Sequence, residues 1–230
     1  MNILPKTVRL LFFLSCTAGL LYCPVLKGQV KDAGLWTSVN FEAKLVKNLT
    51  ATVSEELRFN ENISELGTAF TDIGLTYKLN KHFQFAANYR FLQKHRLDNY
   101  YSFRERFYAD IKYSHKLKPF ELSIRTRIQD QVSDIGRAAD GGVPEYYLRN
   151  KLGIKWDLNK AYSPYISVEL FSPLNYPHEY AFDGIRTAAG VEYEFSKHHK
   201  IDIYYMIQKE LNVSNPQTDF VLGLGYFYKL

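Results

Sequence analysis

From Thr218 to Leu230 the chain alternates residue by residue. Phe220, Leu222, Leu224, Tyr226, Tyr228 and Leu230 fall on one side, and Val221, Gly223, Gly225, Phe227 and Lys229 on the other. Successive side chains of a strand point to opposite faces, so this segment has one apolar face and one small or polar face. A soluble domain rarely ends on such a strand. A bacterial outer-membrane barrel does, because its last strand closes the wall and faces lipid with aromatic residues near the end.

The same period recurs upstream. Outward-facing apolar sets run through Leu35–Leu45, Leu49–Phe59, Ala69–Leu79, Phe83–Phe91 and Phe103–Tyr113. They continue through Leu122–Val132, Tyr146–Leu158, Ile166–Leu170, Ile185–Phe195 and Ile201–Ile207. Period two fits these runs far better than a helical period. The connections alternate in length. Short ones lie at Lys47-Asn48, Asn80–His82, Lys118-Pro119, Asn159–Ser163 and Lys197–Lys200. Longer ones lie at Asn60–Gly67, Arg96–Tyr100, Asp134–Pro144, Ser172–Phe182 and Asn212–Gln217. Short periplasmic turns and long outer loops characterise an up-and-down barrel, and Tyr77, Tyr113, Trp156, Tyr193 and Tyr228 near strand ends suit its aromatic girdles. The expected fold is all-β: a transmembrane antiparallel up-and-down β-barrel of about 10–12 strands. The segments number eleven, whereas bacterial barrels have an even count. Two segments could form one strand, one strand could be missing, or the first could be an unusual wall member. The competing architecture is a soluble sandwich or lipocalin-like barrel with the apolar face inside, but charges load the polar face of nearly every strand.

The start of the chain reads as a secretory leader, with Lys6 and Arg9 before an apolar Leu10–Leu21 and cleavage expected between Gly28 and Gln29. The expected organisation is a signal peptide over 1–28 and a barrel over 29–230. An N-terminal anchor is the competing reading, but the apolar run is short and ends at Pro24. Both cysteines, Cys16 and Cys23, lie in the leader, and Phe13, Leu14 and Tyr22 make poor lipoprotein signals. The mature chain then has no disulfide and no thiolate. The net charge of +5 includes Lys6, Arg9 and Lys27, so +2 remains after cleavage and nucleic acid is not an expected partner. The expected location is a Gram-negative outer membrane. The expected partners are its lipid and lipopolysaccharide and the barrel-assembly machinery.

Several phrases resemble a family of Bacteroidota outer-membrane β-barrels of unknown function. They are Gly34-Leu35-Trp36-Thr37, Glu56-Leu57-Arg58-Phe59, Arg104-Glu105-Arg106-Phe107-Tyr108-Ala109-Asp110, Tyr147-Leu148-Arg149-Asn150-Lys151-Leu152, Glu169-Leu170-Phe171 and Leu222-Gly223-Leu224-Gly225-Tyr226. The resemblance covers the mature chain and implies an outer-membrane barrel. It brings no activity or site residue with it.

If the apolar face meets lipid, the other lines a lumen. Candidate lining residues are Arg58, Arg90, Arg104, Arg106, Asp110, Lys112, Arg125, Arg127, Arg149, Lys151, Glu169, Glu192 and Glu194. So many charges need water or opposite charges around them. Two readings follow: a narrow or gated porin-like channel whose charge sets ion preference, or a barrel plugged by Arg–carboxylate networks that binds or stabilises without transport. Arg104/Arg106 and Arg125/Arg127 form the densest positive patch. Glu55, Glu105, Asp130 and Asn150 break the outward pattern, and either a position beyond the apolar band or a local bulge would explain them. A lipid-modifying enzyme is a weaker reading. The histidines, His82, His95, His115, His178, His198 and His199, lie in or near turns and loops with no close serine, so no catalytic residue is expected. No metal or cofactor motif is present.

Overall fold

The computed structural model describes residues 30–96, 100–133, 144–158, 161–175 and 181–230. The leader, its cleavage site and His178 lie outside the described residues, as do parts of four connections. Among the described residues, eleven strands form the wall: β1 (Val30–Val46), β2 (Leu49–Asn60), β3 (Glu65–Lys78), β4 (Phe83–Arg96), β5 (Tyr100–Leu117) and β6 (Phe120–Val132). After them come β7 (Glu145–Trp156), β8 (Tyr162–Pro173), β9 (Gly184–Glu194), β10 (His199–Glu210) and β11 (Gln217–Lys229). Each pairs with its neighbours in sequence, and β1 meets β11 to close the barrel.

Closure settles the odd count. The eleven segments are eleven strands, and an odd up-and-down ring must contain one parallel pair. That pair is β1 and β11, in register from Val30↔Gln217 to Glu42↔Lys229, and the Leu230 N–H donates to the Glu42 carbonyl at 2.8 Å. All other neighbouring pairs are antiparallel. Val30 therefore stands at the long-loop end and Val46 at the short-turn end.

The wall is inside-out relative to a soluble protein. Ile111, Ile128 and Ile166 are 51%, 53% and 58% exposed on the outside, while Arg149 and Glu169 are 7% and 3% exposed on the inside. This excludes the soluble alternatives, whose apolar face must be the buried one. The shortest strand, β9, has 11 residues, and a tilted membrane-crossing strand needs about 9–11. Around the short-turn end, outward aromatics pair as Phe41–Tyr228, Phe83–Tyr113, Phe120–Trp156 and Tyr193–Phe195, at centroid distances of 6.4, 5.1, 5.9 and 6.1 Å. Amphipathic rings at this level form a girdle.

The four outward polar residues are not displaced by bulges. The ladder shifts register only at Lys44/Val46 and Arg58/Phe59, so Glu55, Glu105, Asp130 and Asn150 do face outward. Three are partnered across strands: Thr71 Oγ1 donates to Glu55 at 2.6 Å, Tyr89 Oη to Glu105 at 3.0 Å, and Thr126 Oγ1 to Asn150 Oδ1 at 2.9 Å. A hydrogen bond lowers the cost of a polar group away from water.

Candidate functional site: the luminal arginine belt

Inside the barrel, arginines and aromatic rings alternate around the wall. The Arg58 guanidinium lies 3.6 Å from the Trp36 ring centre. Phe70 is sandwiched between Arg58 at 4.9 Å and Arg90 at 3.6 Å, and Tyr108 between Arg90 at 5.8 Å and Arg127 at 3.8 Å. Arg127 is the register partner of Arg149, which stacks on Phe171 at 4.4 Å. Arg186 sits 5.1 Å from Phe171 and 5.2 Å from Trp36, completing the circle. A planar guanidinium over a ring face keeps its edge donors free and its orientation fixed, which an ammonium cannot do.

Carboxylates hold most of these arginines from neighbouring strands. Asp72 takes Arg90 in a two-pronged grip, with Nε–Oδ1 at 3.0 Å and Nη2–Oδ2 at 2.5 Å. Asp110 takes Arg127 likewise at 2.6 and 2.8 Å. Glu56 accepts from Arg58 at 2.6 Å. Glu169 serves three cations: Arg125 at 2.5 Å, Arg149 at 2.9 Å and Arg186 at 3.7 Å. Asp202 accepts from Tyr165 Oη, at 3.1 Å to each oxygen. Charge-assisted, two-pronged pairs are the strong members of such a network.

The belt surrounds an axial cavity of about 510 Å³. Arg58, Arg90, Arg106, Arg125, Arg127, Arg149, Lys151 and Glu169 all line it, together with Arg186, Tyr165, Asp202 and Tyr204. Asp110 stands in the wall behind, bound to Arg127. Lys112, on the same face of β5, is opposite Gln84 and Arg125. Glu192 lies nearer the short-turn end, bonded to Lys155 at 2.6 Å and Lys200 at 3.4 Å, and Glu194 is exposed at the end of β9. Arg104 Nε donates to Ser102 Oγ at 3.3 Å. The expected Arg104/Arg106 and Arg125/Arg127 patch is therefore divided among different partners. Arg106 bonds Gln131, Arg125 bonds Glu169 and Arg127 bonds Asp110.

The belt's aromatic members were not evident as site residues, although Trp36, Phe70 and Phe171 share the strand parity of Arg58, Asp72 and Glu169. That parity is the signal by which they could have been found. A larger hollow of about 720 Å³ lies on the outer wall over β6–β10, where Thr187 and Ala189 leave a gap among Ile124, Leu152, Ile166 and Tyr205. It offers no charged group. Among the described residues, no cluster of three or more His, Cys, Asp or Glu is placed to hold a metal ion.

A family profile described as "Protein of unknown function (DUF2490)" matches residues 33–219, from β1 into β11. The chain belongs to this family. None of the curated proteins matches the DUF2490 chain in sequence. Similar solved structures include a NanC porin, 13% identical, which covers 86% of this chain and 99% of its own at a TM-score of 0.48. The β domain of the Bordetella autotransporter BrkA is 13% identical and covers 78% of this chain and 82% of its own, with a TM-score of 0.49. LpxR from Salmonella typhimurium is 6% identical over 78% of this chain and 83% of its own, with a TM-score of 0.46.

Proposed function

We propose that this DUF2490 barrel resides in the outer membrane of a Gram-negative cell, one of the Bacteroidota on the resemblance of its phrases, and that its lumen is a narrow, anion-preferring passage. Its outward face meets lipid and lipopolysaccharide, and the barrel-assembly machinery inserts it. The observation that carries this reading is the excess of positive charge facing the axial cavity. Seven arginines and Lys151 line it, against Glu56, Glu169 and Asp202 in the lining and Asp72 and Asp110 in the wall. A cleft of one sign within low-dielectric walls concentrates counter-ions and sets selectivity.

The direction of the luminal contacts supports a passage over a plug. The described ion pairs and hydrogen bonds between luminal side chains lie within one strand, as in Arg58–Glu56, or join adjacent strands or strands with one between them, as in Arg90–Asp72 and Arg125–Glu169. They run around the wall and leave the axis to the cavity. The deep burial of Arg90, Arg127 and Arg149 favours the plugged alternative, so one experiment must separate the two. Purified protein in a planar bilayer under a potassium chloride gradient should show discrete conductance with a reversal potential on the chloride side. Silence would establish the plug. Potassium preference would mean that the wrong charges face the lumen.

A further inference from the structure

Four pairs of like charge stand directly opposite one another on the luminal face of β4–β7: Arg90–Arg106, Lys112–Arg125, Arg125–Lys151 and Arg127–Arg149. Like charges in register destabilise a sheet. Carboxylates relieve Arg90, Arg127, Arg125 and Arg149 through Asp72, Asp110 and Glu169. Among the described residues, no carboxylate pairs with Arg106, Lys112 or Lys151. Arg106 is aimed rather than neutralised, because both Nε, at 3.0 Å, and Nη2 donate to the uncharged Gln131 Oε1. Arg106 and Lys151 line the same cavity and are only half-buried, unlike the paired Arg90, Arg127 and Arg149. In register Arg106 stands opposite Gln131, and Gln131 opposite Glu145 at the long-loop start of β7, so Lys151 lies further along β7 toward the short-turn end.

We infer that the cavity is a binding site for an elongated polyanion, a solute with phosphate, sulfate or carboxylate groups several ångströms apart. Arg106 takes one end, and Lys151 with Arg125 takes the other. The inference rests on the luminal face assignment of the proposed passage and adds the class of solute. The bound groups supply the negative charge that the wall lacks, which accounts for a face built with register-paired cations. The volume of about 510 Å³ is in the range of small-molecule sites. Arg106, already held by Gln131, and Arg125, already held by Glu169, lose little freedom when the anion arrives.

The test is titration calorimetry of the detergent-purified barrel at about 0.15 M salt, where exposed charges are largely screened beyond about 8 Å. Tripolyphosphate and citrate are the elongated probes, and orthophosphate is the single-group control. Tripolyphosphate should bind at least about tenfold more tightly than orthophosphate, which is about 1.4 kcal/mol. Citrate binding alongside it would mark a site for oxyanions in general, and citrate silence a site for phosphoryl groups. Arg106→Gln and Lys151→Gln should each weaken tripolyphosphate severalfold and leave the heat-unfolding temperature unchanged or higher, since each removes a cation without a carboxylate partner. Lys200→Gln, at a lysine bonded to Glu192 outside the cavity, should not alter binding. Equal affinity for tripolyphosphate and orthophosphate would overturn the site. So would unchanged binding in Arg106→Gln and Lys151→Gln, and a loss of heat stability there without a loss of binding would make both residues structural. Calorimetry needs no conduction. Binding without conductance would therefore fault the passage and keep the site, and conductance without binding would do the reverse.

Discussion

At the scale of single residues, Glu169 has the most demanding environment in the barrel. It is 3% exposed and lies against Arg125, Arg149 and Arg186. One carboxylate among three guanidiniums is favourable only while it stays charged, and losing one member of a buried ionic group costs about 3–5 kcal/mol because the remainder is left uncompensated. Glu169→Gln keeps the shape and removes the charge. It should lower stability by roughly that amount, read by urea unfolding in detergent, and raise the anion preference of the lumen. Stability equal to that of the parent would show that the three arginines do not depend on this carboxylate. Gly223 is a second constrained residue. A Cβ there would fall inside the Tyr204 ring, so the ring keeps its place on β11 only because the position has no side chain.

At the scale of the strand, β5 shows the two faces most clearly. Ile111 looks outward between Phe85 and Thr126, whereas Lys112 looks inward between Gln84 and Arg125. Ile111→Arg should cost roughly 2–4 kcal/mol and impair assembly, as a charge on the lipid face does near the midplane. Lys112→Gln should leave folding nearly intact. The heat-induced mobility shift of the folded barrel scores both, and equal tolerance of the two would refute the face assignment. Strands of this kind were legible because period two is written into each of them, from Leu49–Phe59 to Thr218–Leu230. The start of β1 was not. Val30–Gly34 has no alternation of its own and is strand because Gln217–Val221 pairs with it. Asp32 also accepts from the Glu61 and Asn62 N–H groups at 3.0 and 2.8 Å. Glu55 and Glu105 were unreadable for a similar reason. Their partners, Thr71 and Tyr89, stand on neighbouring strands that no local pattern reveals.

At the scale of the whole molecule, tilt and closure decide what the lumen looks like. Barrel strands incline by about 35–45°, so residues at one height along the axis are offset from register partners. Arg90 is in register with Arg106, yet it stacks with Tyr108, two residues further along β5. The composition of the luminal face was legible from parity, but its arrangement as an alternating belt depends on this offset and on the parallel β1–β11 seam, which brings Trp36 within reach of Arg186. Everything proposed for the cavity requires the apolar face to meet lipid and the charged face to meet water. Both cysteines lie at positions 16 and 23, so the barrel itself offers a clean background for introduced thiols. Single cysteines at positions 107 to 112, probed in isolated outer membranes with a small water-soluble maleimide, test that requirement directly. Expected is alternation, with reaction at 108, 110 and 112 and protection by lipid at 107, 109 and 111. Reaction in the opposite phase, uniform reaction, or absence of the protein from the outer-membrane fraction would contradict it.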